Sequence, residues 1–160
     1  FLRNPVSQAY SHFNMNRANG WARDFSLLYP NHTEAFEPCK YLNRGLYMTH
    51  IERFLKYFPR KQLHIFIYES LIWRRDNLGI NREYAPVFEA MGVLRERATM
   101  LDAFNPGNVG FRNPYVVKLM AKELREWRCK VYLDVYLAEN KRLFKWLGYQ
   151  AKSWIMRECH

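Results

Sequence analysis

An arginine and two serines near the start of the chain have a spacing that could bind a phosphate group. Asn4 is a favoured N-cap and Pro5 a favoured first helical residue, so a helix is predicted to begin directly after Arg3. Ser7 and Ser11 would share one face of this helix, with side chains that lean toward its N-terminus. The N-terminus would add unpaired backbone N–H groups and a partial positive charge. The stretch therefore predicts an anion site, and the alternative is an ordinary capped helix with a surface arginine.

Other cationic residues that could bind an acidic ligand lie late in the chain. Lys118, Lys122 and Arg125 follow at i, i+4 and i+7 and would share one helix face. They could bind a sulfated or uronate-bearing glycan, although such a stripe is more often only a solvated face. Arg112 lies in the Gly/Asn/Pro-rich segment 104–114, whose flexibility would suit a loop that closes over a nucleotide.

Alternating helices and strands must position these residues. The periodicity of apolar residues predicts helices at about 5–17, 41–58, 82–91, 115–130 and 131–147, and one strand at 62–69. The strand segment, QLHIFIYE, is typical of a strand that is buried on both faces of a parallel sheet. Glu69 ends it, and we expect this residue to anchor neighbouring loops through hydrogen bonds or an arginine partner. A helix followed by such a strand predicts an α/β fold, with residues 18–40 as a long loop.

The composition is that of one folded, basic domain. The 160 residues are 49% hydrophobic and 17% aromatic, which excludes a disordered chain, and no stretch approaches the roughly 20 apolar residues of a membrane span. The net charge is +10, with 11 Lys/Arg against 6 Asp/Glu in residues 1–80 and 14 against 9 in residues 81–160. The whole surface would therefore attract anions such as nucleotides, nucleic acid or acidic glycans.

Three cysteines, Cys39, Cys129 and Cys159, fit no metal-binding spacing. They allow one disulfide with one free thiol, or three buried thiols. The sequon that begins at Asn31 would suit a secreted or lumenal chain, although such a triplet also arises by chance.

Three segments, in order, resemble one enzyme family. RNPVSQAYSHF (3–13) resembles the 3′-phosphate-binding motif of the sulfotransferases that use 3′-phosphoadenosine 5′-phosphosulfate (PAPS). Its AYSHF ending is closer to the Golgi carbohydrate branch, of heparan-sulfate type, than to the cytosolic enzymes. Residues 43–71 resemble the family's Gly-x-Tyr helix, its YFP stop and its central strand, and YLAENKRLFKWLG (136–148) resembles its closing helix. The likeness covers most of the chain except 18–40 and 72–115.

The resemblance implies a sulfotransferase-like α/β fold of the three-layer, P-loop-type parallel-sheet class, of which this chain would be a helix-rich part. It also implies that Arg3 and Ser11 hold the 3′-phosphate of PAPS, and that Arg44, beside Tyr47, lies near the acceptor cleft. Together with the patterns above, the expected cofactor contacts are Arg3, Ser11, Ser7 and Arg112, and the expected acceptor contacts are Arg44, Tyr47, Lys118 and Lys122. No metal ligand is expected.

The chain departs from the family pattern at two points. Gln8 stands where the family commonly has a second basic residue, and no GxxxxGK-like loop for the 5′-phosphosulfate is present. In the family this loop and the catalytic base precede the arginine motif. We therefore expect the catalytic residues, with the first strand, loop and helix, upstream of Phe1, and residues 1–160 to form a single partial domain. His12, next in the motif, is expected to pack or form hydrogen bonds beside the site rather than to act in catalysis.

The predicted function is transfer of a sulfuryl group from PAPS to a carbohydrate hydroxyl, leaving adenosine 3′,5′-bisphosphate, in the Golgi lumen or secretory pathway. The expected partners are the nucleotide, the carbohydrate acceptor and further subunits, with neither nucleic acid nor a membrane span in this chain. A fragment of a complete enzyme fits best, because the predicted helices need more strands to cover them. The first alternative is a non-catalytic sulfotransferase-like subunit of a larger assembly. The second is a basic nucleic-acid-binding module, for which no known motif is present.

Overall fold

A computed structural model describes residues 1–22, 24–31, 33–37, 40–72, 89–90 and 121–159. The α-helices in these ranges are α1 (Pro5–Ala18), α2 (Tyr47–Leu55), α3 (Tyr68–Ile72), α4 (Ala121–Val131) and α5 (Leu137–Leu147), with a π-helical turn at Tyr132–Tyr136. Short 3-10 turns lie at Phe25–Leu28, Thr33–Phe36, Asn43–Gly45, Arg60–Gln62, Lys152–Trp154 and Arg157–Cys159. The predicted loop 104–114 lies outside the described residues, as does the predicted helix 82–91 except for two helical residues, 89 and 90.

Helix α1 begins where the sequence predicts and buries the predicted face. The side-chain oxygen of Asn4 caps the helix by accepting hydrogen bonds from Val6 N and Ser7 N, each at 3.1 Å. The residues that the helix buries are Pro5, Val6, Ala9 and Phe13. Ser7 is half-buried and Ser11 exposed, so both hydroxyls are left outside the core.

The prediction of a strand at 62–69 is wrong about the length of the segment and about its burial. The 3-10 turn Arg60–Gln62 precedes it and α3 begins at Tyr68, so that only residues 63–67 lie between two helical segments. His64 is exposed, although burial on both faces was expected. Glu69 provides a physical reason for the early helix, because a carboxylate in the first turn stabilises a helix N-terminus.

Only an isolated parallel β-bridge, between Leu2 and Ile67, is found within the described residues. Leu2 N donates to Phe66 O at 2.8 Å, and Tyr68 N donates to Leu2 O at 2.7 Å. This pairing has the parallel sense that the sequence predicts for the segment 62–69. The full parallel sheet remains a prediction.

Helix α2 is shorter than the predicted helix 41–58, because Asn43–Gly45 forms a separate 3-10 turn before it. The residues that it buries are Tyr47, Met48 and Ile51. Phe54 and Phe58, which the apolar periodicity assigns to the buried stripe, are 56% and 48% exposed. Met48 completes the buried face in their place, and this helix contacts α5.

Gly45 allows the 3-10 turn before α2 to pack directly against the π-helical turn. A Cβ atom at this position would lie 2.6–2.7 Å from ring and hydroxyl atoms of Tyr136. The Tyr136 hydroxyl is buried and donates to Leu42 O at 2.9 Å. The absence of a side chain at Gly45 is therefore what lets this tyrosine reach the backbone of the turn.

The two closing helices, predicted to be separate, form one continuous helical segment. Residues 121–147 include neither proline nor glycine, so nothing in the sequence breaks the helix. The π-helical turn Tyr132–Tyr136 joins α4 to α5, where a break between 130 and 131 was expected. Gly148 ends α5 in the left-handed conformation, with φ of 81°, as the sequence predicts. Residues 115–120, the predicted first part of the helix 115–130, lie outside the described residues.

Two apolar clusters form the core of the described residues. The first contains the buried face of α1 with Leu28, Trp127 and Val131, and the second contains α2 residues with Ile67, Leu143 and Trp154. None of the helices in the described ranges combines the length and hydrophobicity that crossing a membrane requires. The first cluster fixes α4 beside α1, and a pocket opens between these two helices.

Candidate functional site

The pocket between α1 and α4 has a volume of about 410 Å³. It is lined by Arg3, Val6, Ser7, Tyr10, Ser11 and Asn14 from the start of the chain, and by Leu124, Trp127 and Arg128 from α4. Its volume falls in the range of small-molecule sites, roughly 300–1,000 Å³. Two arginines and no carboxylate occur among these described lining residues. The structure thus brings the three residues of the predicted anion site, Arg3, Ser7 and Ser11, to one cavity.

The side chain of Arg3 is exposed at this pocket. Its guanidinium lies 5.7 Å from the centre of the Tyr68 ring, close enough for a cation–π contact. Within the described residues, no hydrogen bond or ion pair engages the guanidinium donors of Arg3. These donors are therefore available to an external anion.

Side chains from two distant parts of the chain hold the backbone around Arg3, and a third part binds one of these side chains. The Tyr47 hydroxyl donates to Arg3 O at 2.7 Å. Asn4 N donates to Glu69 Oε1 at 2.7 Å, and Trp154 Nε1 donates to Glu69 Oε2 at 2.9 Å. The predicted anchoring role of Glu69 is confirmed, with hydrogen bonds in the place of an arginine partner.

The helix amides that the sequence predicts as anion donors are already used. Asn4 Oδ1 accepts from Val6 N and Ser7 N, and Gln8 N donates to Asn4 O at 2.9 Å. Pro5 has no N–H to donate. The expectation of unpaired N–H groups at this N-terminus is therefore wrong, because the cap residue and the first helical bond satisfy them. An anion in the pocket would be bound by side chains.

Residues of α1 line the pocket from one helix face. Ser7, Ser11 and Asn14 follow at i, i+4 and i+7, which places them in a row along the helix. Asn14 Oδ1 is buried and has no hydrogen-bond partner in the described structure. The row offers two hydroxyl groups, which can each donate to a phosphate oxygen.

The second wall of the pocket comes from α4 and was not predicted. Trp127 is 1% exposed and donates from Nε1 to Leu28 O at 3.0 Å. Its ring packs against the rings of Tyr10 and Phe25, with centroid distances of 5.8 and 5.6 Å. Arg128 follows it directly and lines the pocket opposite α1. The only signal in the sequence is an amphipathic helix, which cannot reveal that this helix meets α1.

His12 lies beside the pocket-forming face of α1 and packs as the sequence predicts. Its ring meets the ring of Tyr41 edge to face, with centroids 5.0 Å apart. Burial lowers the pKa of His12, and the positive charges of Arg44 and Lys40 lower it further. The side chain is therefore neutral at neutral pH and contributes no charge to the site.

The two predicted acceptor contacts near α2 differ in exposure. Arg44 is exposed on the 3-10 turn, whereas Tyr47 is buried. Burial raises the pKa of Tyr47 far above its ordinary value, so the phenol stays protonated. Its hydroxyl binds Arg3 O and lies 2.9 Å from Gln8 Oε1. Tyr47 thus positions Arg3, and a direct contact of either residue with an acceptor remains a prediction.

The predicted cationic stripe is only partly described. Lys122 is exposed and pairs with Glu126 at 3.9 Å, and Arg125 donates to Glu158 O at 3.5 Å. Lys118 and Arg112, predicted as glycan and nucleotide contacts, lie outside the described residues. A role of these four cations in binding stays a prediction.

The structure shows which pair of cysteines is joined, a question that the sequence leaves open. Cys129 and Cys159 form a disulfide, with Cα atoms 5.1 Å apart. The bond joins α4 to the last 3-10 turn and lies next to Arg128 in sequence. Cys39 lies outside the described residues.

One comparison with known proteins, a match to a family model, includes the motif at the start of the chain. Residues 1–76 match the family model of the sulfotransferase domain. The match covers 76 of 160 residues, including Arg3, Ser7 and Ser11, and it supports the sulfotransferase fold and a transferase activity in general. No curated protein and no solved structure gives a significant match.

Proposed function

We propose that this chain belongs to a PAPS-dependent sulfotransferase that sulfates a carbohydrate hydroxyl, and that it supplies the 3′-phosphate site. The main support for the proposal is that Arg3, Ser7 and Ser11 line the same pocket. The sulfotransferase-domain match over residues 1–76 adds independent support for the reaction class.

The donors in the pocket suit a phosphate monoester. A guanidinium binds phosphate oxygens with a planar pair of N–H donors, and hydroxyl groups can complete the shell. The lining residues that the structure describes include no carboxylate that would repel an anion. PAPS, when bound, would supply the sulfuryl group that is transferred to the acceptor oxygen.

The residues of this chain would bind and orient the nucleotide rather than carry out the transfer. Tyr47 and Glu69 fix the backbone of residues 3 and 4, so the Arg3 side chain extends from a fixed Cα position. Holding a ligand in one geometry lowers the entropic part of a reaction barrier. The catalytic base and the groups that contact the 5′-phosphosulfate are not assigned to any described residue.

The carbohydrate acceptor and the compartment are further parts of the proposal. The exposed cations Arg44 and Lys122 would suit an acidic glycan. The disulfide Cys129–Cys159 supports an oxidising compartment, such as the Golgi lumen or another part of the secretory pathway.

Titration calorimetry with adenosine 3′,5′-bisphosphate tests the phosphate assignment in the intact protein. We expect Arg3→Ala to weaken binding roughly ten- to hundred-fold, because a hydrogen bond to a charged group contributes about 1.5–3 kcal/mol. Arg17→Ala is the matched control, since it removes the same charge from the last turn of α1, outside the pocket. Equal affinities for the Arg3 and Arg17 variants would refute the site.

A turnover assay separates an enzyme from a non-catalytic relative. The intact protein, supplied with radiolabelled PAPS and a panel of desulfated glycans, should transfer label to at least one acceptor. Nucleotide binding without transfer to any acceptor would favour the non-catalytic subunit.

A further inference from the structure

We infer that Arg128 binds the same phosphate group as Arg3, so that the anion is held between α1 and α4. This inference rests on the proposed function and adds a residue that the motif at 3–13 does not contain. Arg128 lines the pocket together with Arg3, Ser7 and Ser11, although more than 100 residues separate it from them in the chain.

The position of Arg128 is fixed by the residue before it. Trp127 is buried, and its indole N–H donates to Leu28 O in the first apolar cluster. Contacts of Trp127 with Tyr10 and Phe25 hold this turn of α4 against α1. The backbone of Arg128 is thus placed at the pocket wall by the core, while its side chain is exposed.

The charge of the ligand calls for a second cation. A phosphate monoester carries about −1.5 to −2 near pH 7, so Arg3 alone would leave about half to one negative charge unpaired. Gln8 cannot supply the second charge, and its side chain lies against the Tyr47 hydroxyl, outside the pocket lining. Arg128 is the remaining cation among the described lining residues.

Arg128 also differs from the other cations of its helix in having no partner within the described structure. The partners of the others are Glu126 for Lys122, Glu158 O for Arg125 and Asp134 for Lys130. A guanidinium that is placed at a pocket without an internal partner is available to a bound anion.

Calorimetry with adenosine 3′,5′-bisphosphate on the intact protein tests the inference. Arg128→Ala should weaken binding roughly ten-fold or more, and Arg128→Lys should retain part of the affinity, because an ammonium keeps the charge but loses the planar fork. Lys130→Ala is the control, since it removes an exposed positive charge from α4 outside the pocket. It should bind like the wild type, and each variant should keep the wild-type melting temperature.

A second probe locates the contact on the ligand. Adenosine 5′-monophosphate lacks the 3′-phosphate, so its affinity should be the same in the wild type and in Arg128→Ala. A loss of equal size for both nucleotides would place Arg128 elsewhere and overturn the inference.

The remaining outcomes separate this inference from the proposed function. If the wild type binds the bisphosphate and Arg128→Ala binds it as Lys130→Ala does, the role of Arg128 is refuted and the Arg3 site stands. If the wild type does not bind the bisphosphate, the proposed function fails and the inference fails with it.

Discussion

Asn4 determines how an anion can be bound at the start of α1. A helix N-terminus with free amides can hold a phosphate through its backbone, as many nucleotide-binding proteins do. Here the Asn4 side chain accepts from two of those amides, and the Asn4 carbonyl accepts from a third. If the pocket binds an anion as proposed, side chains would have to bind it, so we expect the affinity to be sensitive to Arg3 and Arg128.

The neutral state of His12 makes stability depend on pH. Its pKa lies below the ordinary value of 6.5 in the folded chain, mainly through burial. The unfolded chain therefore binds the proton more readily, and the free energy of unfolding falls as the pH drops below about 6.5. We expect His12→Gln to show a smaller fall than the wild type, measured by urea unfolding between pH 7 and pH 5.

A direct measurement of the pKa accompanies this stability test. An NMR titration should place the pKa of His12 below 6.5 in the wild type. Arg44→Gln should raise it, because the charge of Arg44 is one of its causes. Parallel stability curves for the wild type and His12→Gln would contradict the prediction.

At the level of elements, local signals predict α1 well because they act within one turn. Asn4, Pro5 and the apolar spacing define the start and the buried face of this helix, and Gly148 defines the end of α5. The segment 62–69 is harder, because a short apolar run suits a strand or the start of a helix equally. In the structure, tertiary contacts give a short parallel pairing of Ile67 with Leu2, and α3 follows it.

The residues of the candidate site also differ in how well the sequence predicts them. Arg3, Ser7 and Ser11 lie within nine residues, so their spacing predicts one face and one ligand. Arg128 meets them only through the packing of Trp127 against Tyr10 and Phe25. No local pattern in the sequence encodes that contact between distant helices, which is why the sequence does not predict the α4 wall of the pocket.

The contact between Gly45 and Tyr136 links the turn before α2 to the π-helical turn. We expect Gly45→Ala to lower the free energy of unfolding by about 1–3 kcal/mol, the usual cost of overpacking, because its Cβ would overlap the Tyr136 ring. Chemical denaturation measures this change.

A double-mutant cycle identifies the cause of that loss. Tyr136→Leu removes the overlapping ring and hydroxyl atoms, so Gly45→Ala should cost less in that background than in the wild type. The same cost in both backgrounds would show that a contact other than this overlap explains the loss.

Across the whole molecule, contacts between distant residues hold the parts of the described chain together. Glu69 bonds residue 4 to Trp154, and Trp127 bonds α4 to Leu28. The disulfide Cys129–Cys159 adds a covalent link between α4 and the C-terminal turn. These links connect the pocket to both ends of the described structure, so its geometry depends on the global fold.

The disulfide should contribute to the stability of the whole chain by restricting its unfolded state. The two cysteines are 30 residues apart, and closing a loop of this length is worth about 3–4 kcal/mol in the chain-entropy account. The double variant Cys129→Ser, Cys159→Ser should lose about this much in the free energy of unfolding, measured by guanidinium denaturation without reductant. Adding dithiothreitol should destabilise the wild type by a similar amount and leave the double variant unchanged. If reductant lowers the stability of both proteins equally, a bond other than Cys129–Cys159 is responsible, and non-reducing peptide mapping would identify it.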